Sequence, residues 1–164
     1  MKEKMPCPDY PKKTTKILDE HTEKGCLHWV DIGGDSSISS QKARPYIIIG
    51  RNNPKSNRII MCPVSDIIHY LENGSDKLKY PYHAPLYKKQ YSFLDKDSAI
   101  LLDQVYTIAK NELCEEWYIG KVVDLTEIDK AIMYNYDLFE SIYEAYAELL
   151  KQLPKVHVSQ YTRK

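Results

Sequence analysis

The sequence lacks long apolar runs and paired cysteines. No segment approaches the roughly 20 apolar residues that cross a bilayer, and the first residues are polar, unlike a signal peptide. We therefore expect a soluble, cytoplasmic protein with no membrane partner. The four cysteines have no C-x-x-C pair and no histidine at ligand spacing: Cys7, Cys26, Cys62 and Cys114. Because zinc sites and disulfide frameworks need such spacing, we expect reduced thiols, no metal and no cofactor.

The composition is that of an ordinary folded protein. The chain has 164 residues, of which 43% are hydrophobic and 28% charged, and these values argue against disorder or a collagen-like repeat. A domain of this length buries roughly 70% of its unfolded surface and needs no disulfide to fold. We expect one domain at residues 25–153, after an N-terminal extension at 1–24 and before a polar tail at 154–164.

Acidic residues are absent from residues 36–65, although the chain as a whole carries 23 basic and 23 acidic residues. Five cations lie in that stretch: Lys42, Arg44, Arg51, Lys55 and Arg58. A chain without net charge does not attract a polyanion as a whole, so a nucleic acid would need a local patch of this kind. The alternative is an ordinary solvated surface. The 14 tyrosines, against two phenylalanines, suit a base-stacking surface and equally a strand-rich core.

Short apolar runs bounded by turn residues predict strands. We expect them at 27–32, 46–49, 59–62, 99–102 and 105–108, with a strand or helix entry at 117–123 and an edge strand inside a loop at 67–97. The turn at 51–57 makes an antiparallel hairpin of the two runs beside it. Before the first strand, Thr14 or Thr15 is expected to cap a short helix that reaches His21 and ends at Gly25.

Two helices are predicted near the end of the chain. Thr126-x-x-Asp129 has the pattern of a capping box, and Asp137 is expected to cap a second helix. Apolar residues of that helix recur at spacings of three and four before Pro154: Phe139, Ile142, Tyr143, Tyr146, Leu149, Leu150 and Leu153. We expect this stripe to be buried on the sheet or on a second subunit. The predicted fold class is α+β, mainly β, with a small curved antiparallel sheet and helices packed on it.

Four blocks of sequence carry a family resemblance. They are Gly25–Asp31, Arg44-Pro45 before the run 46–49, Cys62–Ser65 and Asp103–Ile108, and a closing segment follows at 119–132. In this order and at this spacing they resemble the MazF/PemK (Kid/CcdB-like) toxin family of toxin–antitoxin systems. The resemblance covers residues 25 to about 132.

The resemblance implies a small SH3-like barrel, usually a homodimer, that cleaves single-stranded RNA without a metal. Attack by the ribose 2′-hydroxyl would leave a 2′,3′-cyclic phosphate and a 5′-hydroxyl, and would inhibit translation or growth until an antitoxin neutralises the toxin. The expected partners are therefore RNA, a second copy and a cognate antitoxin, which is a small protein or, as the second option, a structured RNA.

Such a reaction needs a cation for the charge that develops on phosphorus, a base and an acid. Arg44 is expected to supply the cation, because its guanidinium offers a planar fork of donors and the Arg-Pro pair matches the family motif. Ser65 is expected to hydrogen-bond a phosphate oxygen, although it can equally cap the turn that follows. His69 and His83 are the candidates for proton transfer, because histidine titrates near neutrality.

The expected RNA-binding residues are Gln41, Lys42, Arg51, Lys55, Arg58 and Tyr82. The sequence departs from the family in two places. Ser39-Ser40-Gln41 stands where the family has Gly-Ser-Glu-Gln, so a glutamate is missing. The segment between Ser65 and Asp103 is longer than usual, and either reshapes the RNA groove or faces the antitoxin.

A function of another class is also compatible with this sequence. A noncatalytic toxin, similar to the gyrase inhibitors of the same fold, or a module that binds nucleic acid or peptide would keep the barrel without RNA chemistry. The pairing of Arg44 with Ser65 favours the nuclease, because a gyrase inhibitor has no need of a phosphate-binding fork at that loop.

Overall fold

The computed structural model describes residues 15–32 and 43–152, which form seven strands, two α-helices and four 3-10 helices. The strands are β1 Cys26–Val30, β2 Arg44–Ile48, β3 Arg58–Asp66, β4 His83–Leu86, β5 Ser98–Leu101, β6 Tyr106–Ala109 and β7 Tyr118–Lys121. The α-helices are α1 Thr126–Asn135 and α2 Phe139–Gln152, and the 3-10 helices are Asp19–Thr22, Ile67–His69, Lys110–Glu112 and Glu115–Trp117. Each predicted strand overlaps an observed one.

Strand β3 organises the sheet, because its nine residues pair with three other strands. Residues 61–63 pair with β2. Residues 58–61 pair with β6, and residues 64–66 pair with β5. The pairings between these strands are antiparallel and follow the order β4-β5-β3-β2-β1-β7. This change of partner along β3 curls the sheet into a half-barrel and confirms the predicted mainly β, barrel-like fold.

Side chains alternate along the strands between two apolar layers, as the pleat requires. Leu27 and Ile47 lie in the inner layer, which Ala131 of α1 helps to close. Tyr46 and Ile48 lie in the layer on the opposite face. Residues of β2 with even numbers, Arg44 among them, therefore belong to the Tyr46 face.

Gly25 joins three strands at the point where β1 begins. Its N–H donates to the carbonyl oxygen of Ile48 at 2.8 Å, and its own carbonyl accepts from the N–H of Val122 at 2.9 Å. Its φ is +94°, in the region that favours glycine. A Cβ on this residue would lie 2.4 Å from the carbonyl oxygen of Val122, so glycine is required here for two separate reasons.

The predicted N-terminal helix is shorter than expected. Only the 3-10 helix Asp19–Thr22 forms there, and Leu18, the residue before it, makes no side-chain cap. The hydroxyl of Thr15 donates to Glu116 instead of capping, and Thr14 lies outside the described residues. The segment is nevertheless packed onto the domain, since Ile17 is buried in the layer of Tyr46.

The predicted capping box of α1 is wrong. The residue before the helix is Leu125, which makes no side-chain cap, and Asp124 accepts the N–H of Thr126 at 3.1 Å. Asp129 pairs with Lys24 of the N-terminal segment. The acidic residue that serves the helix start thus lies two positions before Thr126, and Asp129 ties the helix to the N-terminal segment.

Helix α2 keeps its apolar stripe in solvent. None of its residues is buried, and Tyr143 and Tyr146 are 73% and 58% exposed. The sheet therefore does not cover the stripe, so the first of the two expected positions is excluded, and burial on a second subunit stays a prediction. Asp137, which is expected to cap this helix, has a φ of +53°, and its role as the cap stays a prediction. No helix among the described residues is long and apolar enough to cross a membrane.

Candidate active site

Arg44 stands at the start of β2, opposite Val30 of β1, with its side chain exposed. On the same face, Tyr46 is buried, and its ring meets the edge of the Tyr106 ring at 5.6 Å between centroids. Burial raises the pKa of Tyr46, the neighbouring Tyr106 adds to the rise, and the positive charge of Arg44 partly offsets it. The guanidinium therefore lies close enough to this tyrosine pair to act on it electrostatically.

Ser65 lies near the end of β3, opposite Ala99 of β5, and is half-buried. The ladder between β2 and β3 ends at the pair Tyr46–Pro63. Arg44 and Ser65 each lie two residues beyond that pair, so both occupy the same face of their strands. From this point β2 continues beside β1 and β3 continues beside β5. The geometry thus brings Arg44 and Ser65 to one face, where the two strands diverge.

The alternative role of Ser65, as the cap of the following turn, belongs to its neighbour. Asp66 accepts the N–H of Ile68 at 3.2 Å at the start of the 3-10 helix Ile67–His69, and Lys96 donates to Asp66 at 2.7 Å. Burial acts to raise the pKa of Asp66, but these hydrogen bonds outweigh it and the pKa lies below its usual value. Because Asp66 caps the turn, that role does not require Ser65.

His83 lies in β4, with its side chain only 4% exposed. Its Nε2 is 3.1 Å from Oδ1 of Asp103, and three tyrosine rings meet its ring edge-on: Tyr70, Tyr80 and Tyr82. Nδ1 is buried without a hydrogen-bond partner among the described residues. The Asp103 carboxylate is 38% exposed. In this pair the carboxylate, and not the imidazole, faces solvent.

The pair of His83 and Asp103 lies on the other side of β3 from Arg44. His83 is opposite Leu101 of β5, so its backbone is three strand spacings, about 14 Å along the sheet, from that of Tyr46. Asp103 lies in the turn between β5 and β6, three residues before Tyr106. The charge of Asp103 also acts on β3. Burial is the main cause that raises the pKa of Cys62 to about 12, and the charge of Asp103 adds to it.

His69 is exposed at the end of the 3-10 helix Ile67–His69, four residues after Ser65. It lies close enough to Asp66 for its charge to contribute to the lowered pKa of that carboxyl, behind the effects of burial and of the hydrogen bonds. The imidazole of His69 is thus exposed to solvent near Asp66. Its part in proton transfer stays a prediction.

The predicted RNA-binding residues do not form one patch. Arg51, Lys55 and Arg58 are exposed at the turn that joins β2 to β3. We call this the turn end of the hairpin, and the place where Arg44 and Ser65 lie the open end. Tyr82 is half-buried and stacks on Tyr80, with 5.0 Å between ring centroids. Gln41 and Lys42 lie outside the described residues.

The comparisons with known proteins show the family to which this chain belongs. Residues 23–135 match the family model described as the PemK-like, MazF-like toxin of type II toxin–antitoxin systems. The chain belongs to this family. Among curated relatives, Endoribonuclease MazF of Staphylococcus epidermidis is 31% identical over 111 residues, which are 66% of this chain and 86% of that protein. The prediction of the MazF/PemK toxin family is confirmed.

The fold of this MazF-like toxin also has solved counterparts. An endoribonuclease in complex with its cognate antitoxin, from a mycobacterial species, superimposes with a TM-score of 0.52 at 18% identity. The match covers 71% of this chain and 95% of that one. At this identity the likeness concerns the fold alone, and it supports the half-barrel with appended helices.

Sequence reasoning on MazF-like motifs missed three side chains near the site. Tyr46 was read only as part of an apolar run, and Tyr106 and Asp103 only as part of a family block. Register brings the two tyrosines together, because Met61 of β3 pairs with both Ile48 and Tyr106, whereas Asp103 is identified by its contact with His83. Among residues 15–32 and 43–152, no group of three His, Cys, Asp or Glu side chains can hold a metal ion.

Proposed function

We propose that this MazF-like toxin is an endoribonuclease that cleaves single-stranded RNA by attack of the 2′-hydroxyl, leaving a 2′,3′-cyclic phosphate and a 5′-hydroxyl. The observation that carries the proposal is the open end, where the exposed guanidinium of Arg44 and the half-buried Ser65 share one face. The name of the relative from Staphylococcus epidermidis, an endoribonuclease, supports the same reaction.

Arg44 stabilises the transition state in this proposal. As the 2′-oxygen attacks, negative charge builds on the non-bridging phosphate oxygens, and a guanidinium offers them two parallel N–H donors. The residue is held in place because Tyr46, two positions on, is buried in an apolar layer. Ser65 donates its hydroxyl to a phosphate oxygen and so orients the phosphate towards Arg44.

Asp103 is the proton acceptor that the described residues favour. Its carboxylate is partly exposed, and the buried His83 contacts one of its oxygens, so the imidazole acts here as a positioning residue. A group that takes the 2′-hydroxyl proton must be within hydrogen-bond reach of the substrate, which suits the more exposed partner. His69, exposed four residues after Ser65, is the candidate donor for the departing 5′-oxygen.

The partners follow from the family. Members of this family are toxins of type II toxin–antitoxin systems, and we propose a small protein as the antitoxin, with a structured RNA as the second option. We also propose a homodimer and a cytoplasmic location, where messenger RNA is translated.

The test of the reaction is product chemistry. Purified protein is incubated with a long single-stranded RNA in EDTA, and the fragment ends are determined by mass spectrometry. Defined fragments with cyclic phosphate ends are expected. Arg44→Lys serves as the matched variant, because it keeps the charge but loses the planar fork, and it should cleave more slowly with the same ends. RNA that stays intact in EDTA would exclude the reaction proposed here, and RNA that also stays intact with added Mg²⁺ would leave a noncatalytic toxin on the same fold.

A further inference from the structure

An open cleft of about 860 Å³ lies at the turn end of the hairpin, away from Arg44. Its walls are the turn between β2 and β3, the N-terminal segment around Lys16 and Thr22, and the connection after β6 that starts at Lys110. Arg44 and Ile48 are the two ends of β2, about 13 Å apart, and the turn with the cleft begins beyond Ile48. The cleft is therefore a place distinct from the open end.

Three lysines line this turn-end cleft, Lys16, Lys55 and Lys110, against one acidic residue, Asp19. Lys110 is held in position, because its Nζ donates to the carbonyl oxygen of Asn53 at 2.7 Å. No ion pair joins Lys16 or Lys55 to an acidic side chain in the part of the chain that the structure describes. In a chain with no net charge, such an excess of cations around one cavity is a local feature that favours an anion.

The wall of the cleft is built from neutral hydrogen-bonding groups. Asn52 donates from Nδ2 to the hydroxyl of the buried Thr22 at 2.8 Å, and that hydroxyl donates to the carbonyl oxygen of Asp19 at 2.6 Å. This chain of bonds ties the hairpin turn to the N-terminal segment and keeps the two walls at a set distance. Ser56 and Asn111 add further polar groups to the lining.

We propose that the turn-end cleft binds phosphate groups of nucleotides. Ammonium groups bind phosphate as point charges, the cavity lies in the size range of small-molecule sites, and the lining combines hydrogen-bonding groups with apolar side chains such as Ile17 and Leu113, as a sugar and a base require. The phosphate has two possible sources: a free mononucleotide, or the backbone of a long RNA whose scissile phosphate lies at the open end. The second source rests on the proposed function, whereas the first does not.

Direct binding separates these sources. The full chain carrying Arg44→Ala, to slow cleavage, is titrated with a mixture of nucleoside 5′-monophosphates, with a tetranucleotide and with a 20-nucleotide RNA, by calorimetry. The double variant Lys16→Gln with Lys55→Gln is compared with Lys130→Gln with Lys151→Gln, which removes the same charge from two exposed lysines of α1 and α2, outside the cleft. All four lysines are exposed, and thermal unfolding checks that every variant folds.

A loss of mononucleotide binding of about tenfold or more in the cleft variant alone indicates a free nucleotide as the ligand. A loss confined to the 20-nucleotide RNA indicates the backbone of a long RNA. The slope of log K against log salt concentration should then become shallower by about 1.4, because two contacts to single-stranded RNA are lost. Equal effects of the cleft and control variants on every ligand would overturn the proposal. Because binding and cleavage are measured separately, failure of the binding test leaves the nuclease proposal standing, and failure of the cleavage test leaves the proposal of a free mononucleotide standing.

Discussion

The two ends of the β2–β3 hairpin both carry basic residues, but their surroundings differ. At the open end, one arginine lies beside a buried tyrosine and shares a face with Ser65. At the turn end, three lysines line a wide open cleft, and one of them, Lys110, is hydrogen-bonded to the backbone. We propose chemistry at one phosphate for the first arrangement and the binding of an anion for the second. Cations of similar charge therefore serve different proposed roles when their neighbours differ.

The largest effect is expected from Arg44→Ala. Loss of one donor to the developing charge lowers kcat by roughly 10²- to 10³-fold, about 2.7–4 kcal/mol of barrier. The exposed side chain leaves the fold intact, which circular dichroism and thermal unfolding verify. Single-turnover cleavage of a labelled RNA measures the rate. Activity within a few-fold of the parent would place the chemistry elsewhere and end the distinction between the two ends.

The titration of His28 makes the folded protein less stable in acid, and this limits the pH range in which activity at the two ends can be compared. This imidazole is buried opposite Tyr46, and burial lowers its pKa from 6.5 to about 4. Its Nε2–H donates to the carbonyl oxygen of His21 at 2.7 Å. Between pH 6.5 and 4 the unfolded chain binds this proton and the native chain does not, so the free energy of unfolding falls by about 3 kcal/mol as pH drops through that window.

Urea unfolding at a series of pH values measures the effect of His28. The contribution is complete above pH 6.5 and lost as the pH approaches 4. In His28→Gln the slope between pH 6.5 and 4 should flatten, whatever the change in overall stability. An unchanged slope would assign the acid sensitivity to other groups.

Asp103→Asn tests whether the chemistry of the open end extends to the turn between β5 and β6. Removal of a general base lowers the cleavage rate on the order of 10²-fold. His83→Gln, which alters only the positioning of Asp103, should lower kcat less and leave KM unchanged. Cleavage by Asp103→Asn within a few-fold of the parent would show that Asp103 takes no proton.

Ser65→Ala is expected to have a smaller effect. One hydrogen bond to a charged phosphate oxygen contributes about 1.5 kcal/mol, which is roughly a tenfold loss of kcat/KM. Ser65→Thr keeps the hydroxyl and is expected to retain most of the rate. If alanine and threonine behave alike, the hydroxyl has no contact with the phosphate.

The smallest effect is expected from Arg58→Ala at the turn end. Removal of one contact to the RNA backbone makes the slope of log K against log salt concentration shallower by about 0.7. Binding weakens a few-fold, while kcat at saturating RNA stays unchanged. Filter binding at several salt concentrations, with single-turnover rates, checks both parts. A fall in kcat as large as that of Arg44→Ala would make the two ends equivalent.

The strands and the hairpin were accessible from sequence, because they depend on local patterns. The run 46–49 and the turn at 51–57 are each predicted from the types of residues within a few positions. The motif resemblance also singled out Arg44 and Ser65 as a pair, and register alone explains why they share a face. That register depends on β3 pairing with three strands, a long-range choice that no local pattern of residues encodes.

Caps and exposed faces were the weak points of the sequence reading. Asp124 and Thr126 are both suitable residues for the start of α1. Which of them takes that role depends on the conformation of the chain between β7 and the helix. Similarly, the apolar spacing of α2 describes which residues share a face, but not whether anything covers it. The contact of His83 with Asp103 joins residues 20 positions apart, and only the pairing of β4 with β5 brings them together.

Gly25 has a consequence for the genetics of such a toxin. Selection for cells that survive expression of the toxin recovers inactive alleles, and substitutions around Arg44 are the obvious class to expect among them. Any side chain at position 25 meets a backbone oxygen and an unfavourable φ at once, so substitutions there should appear among the survivors although they touch no catalytic group. Their signature would be low protein abundance, which separates them from full-length, well-expressed alleles with altered chemistry.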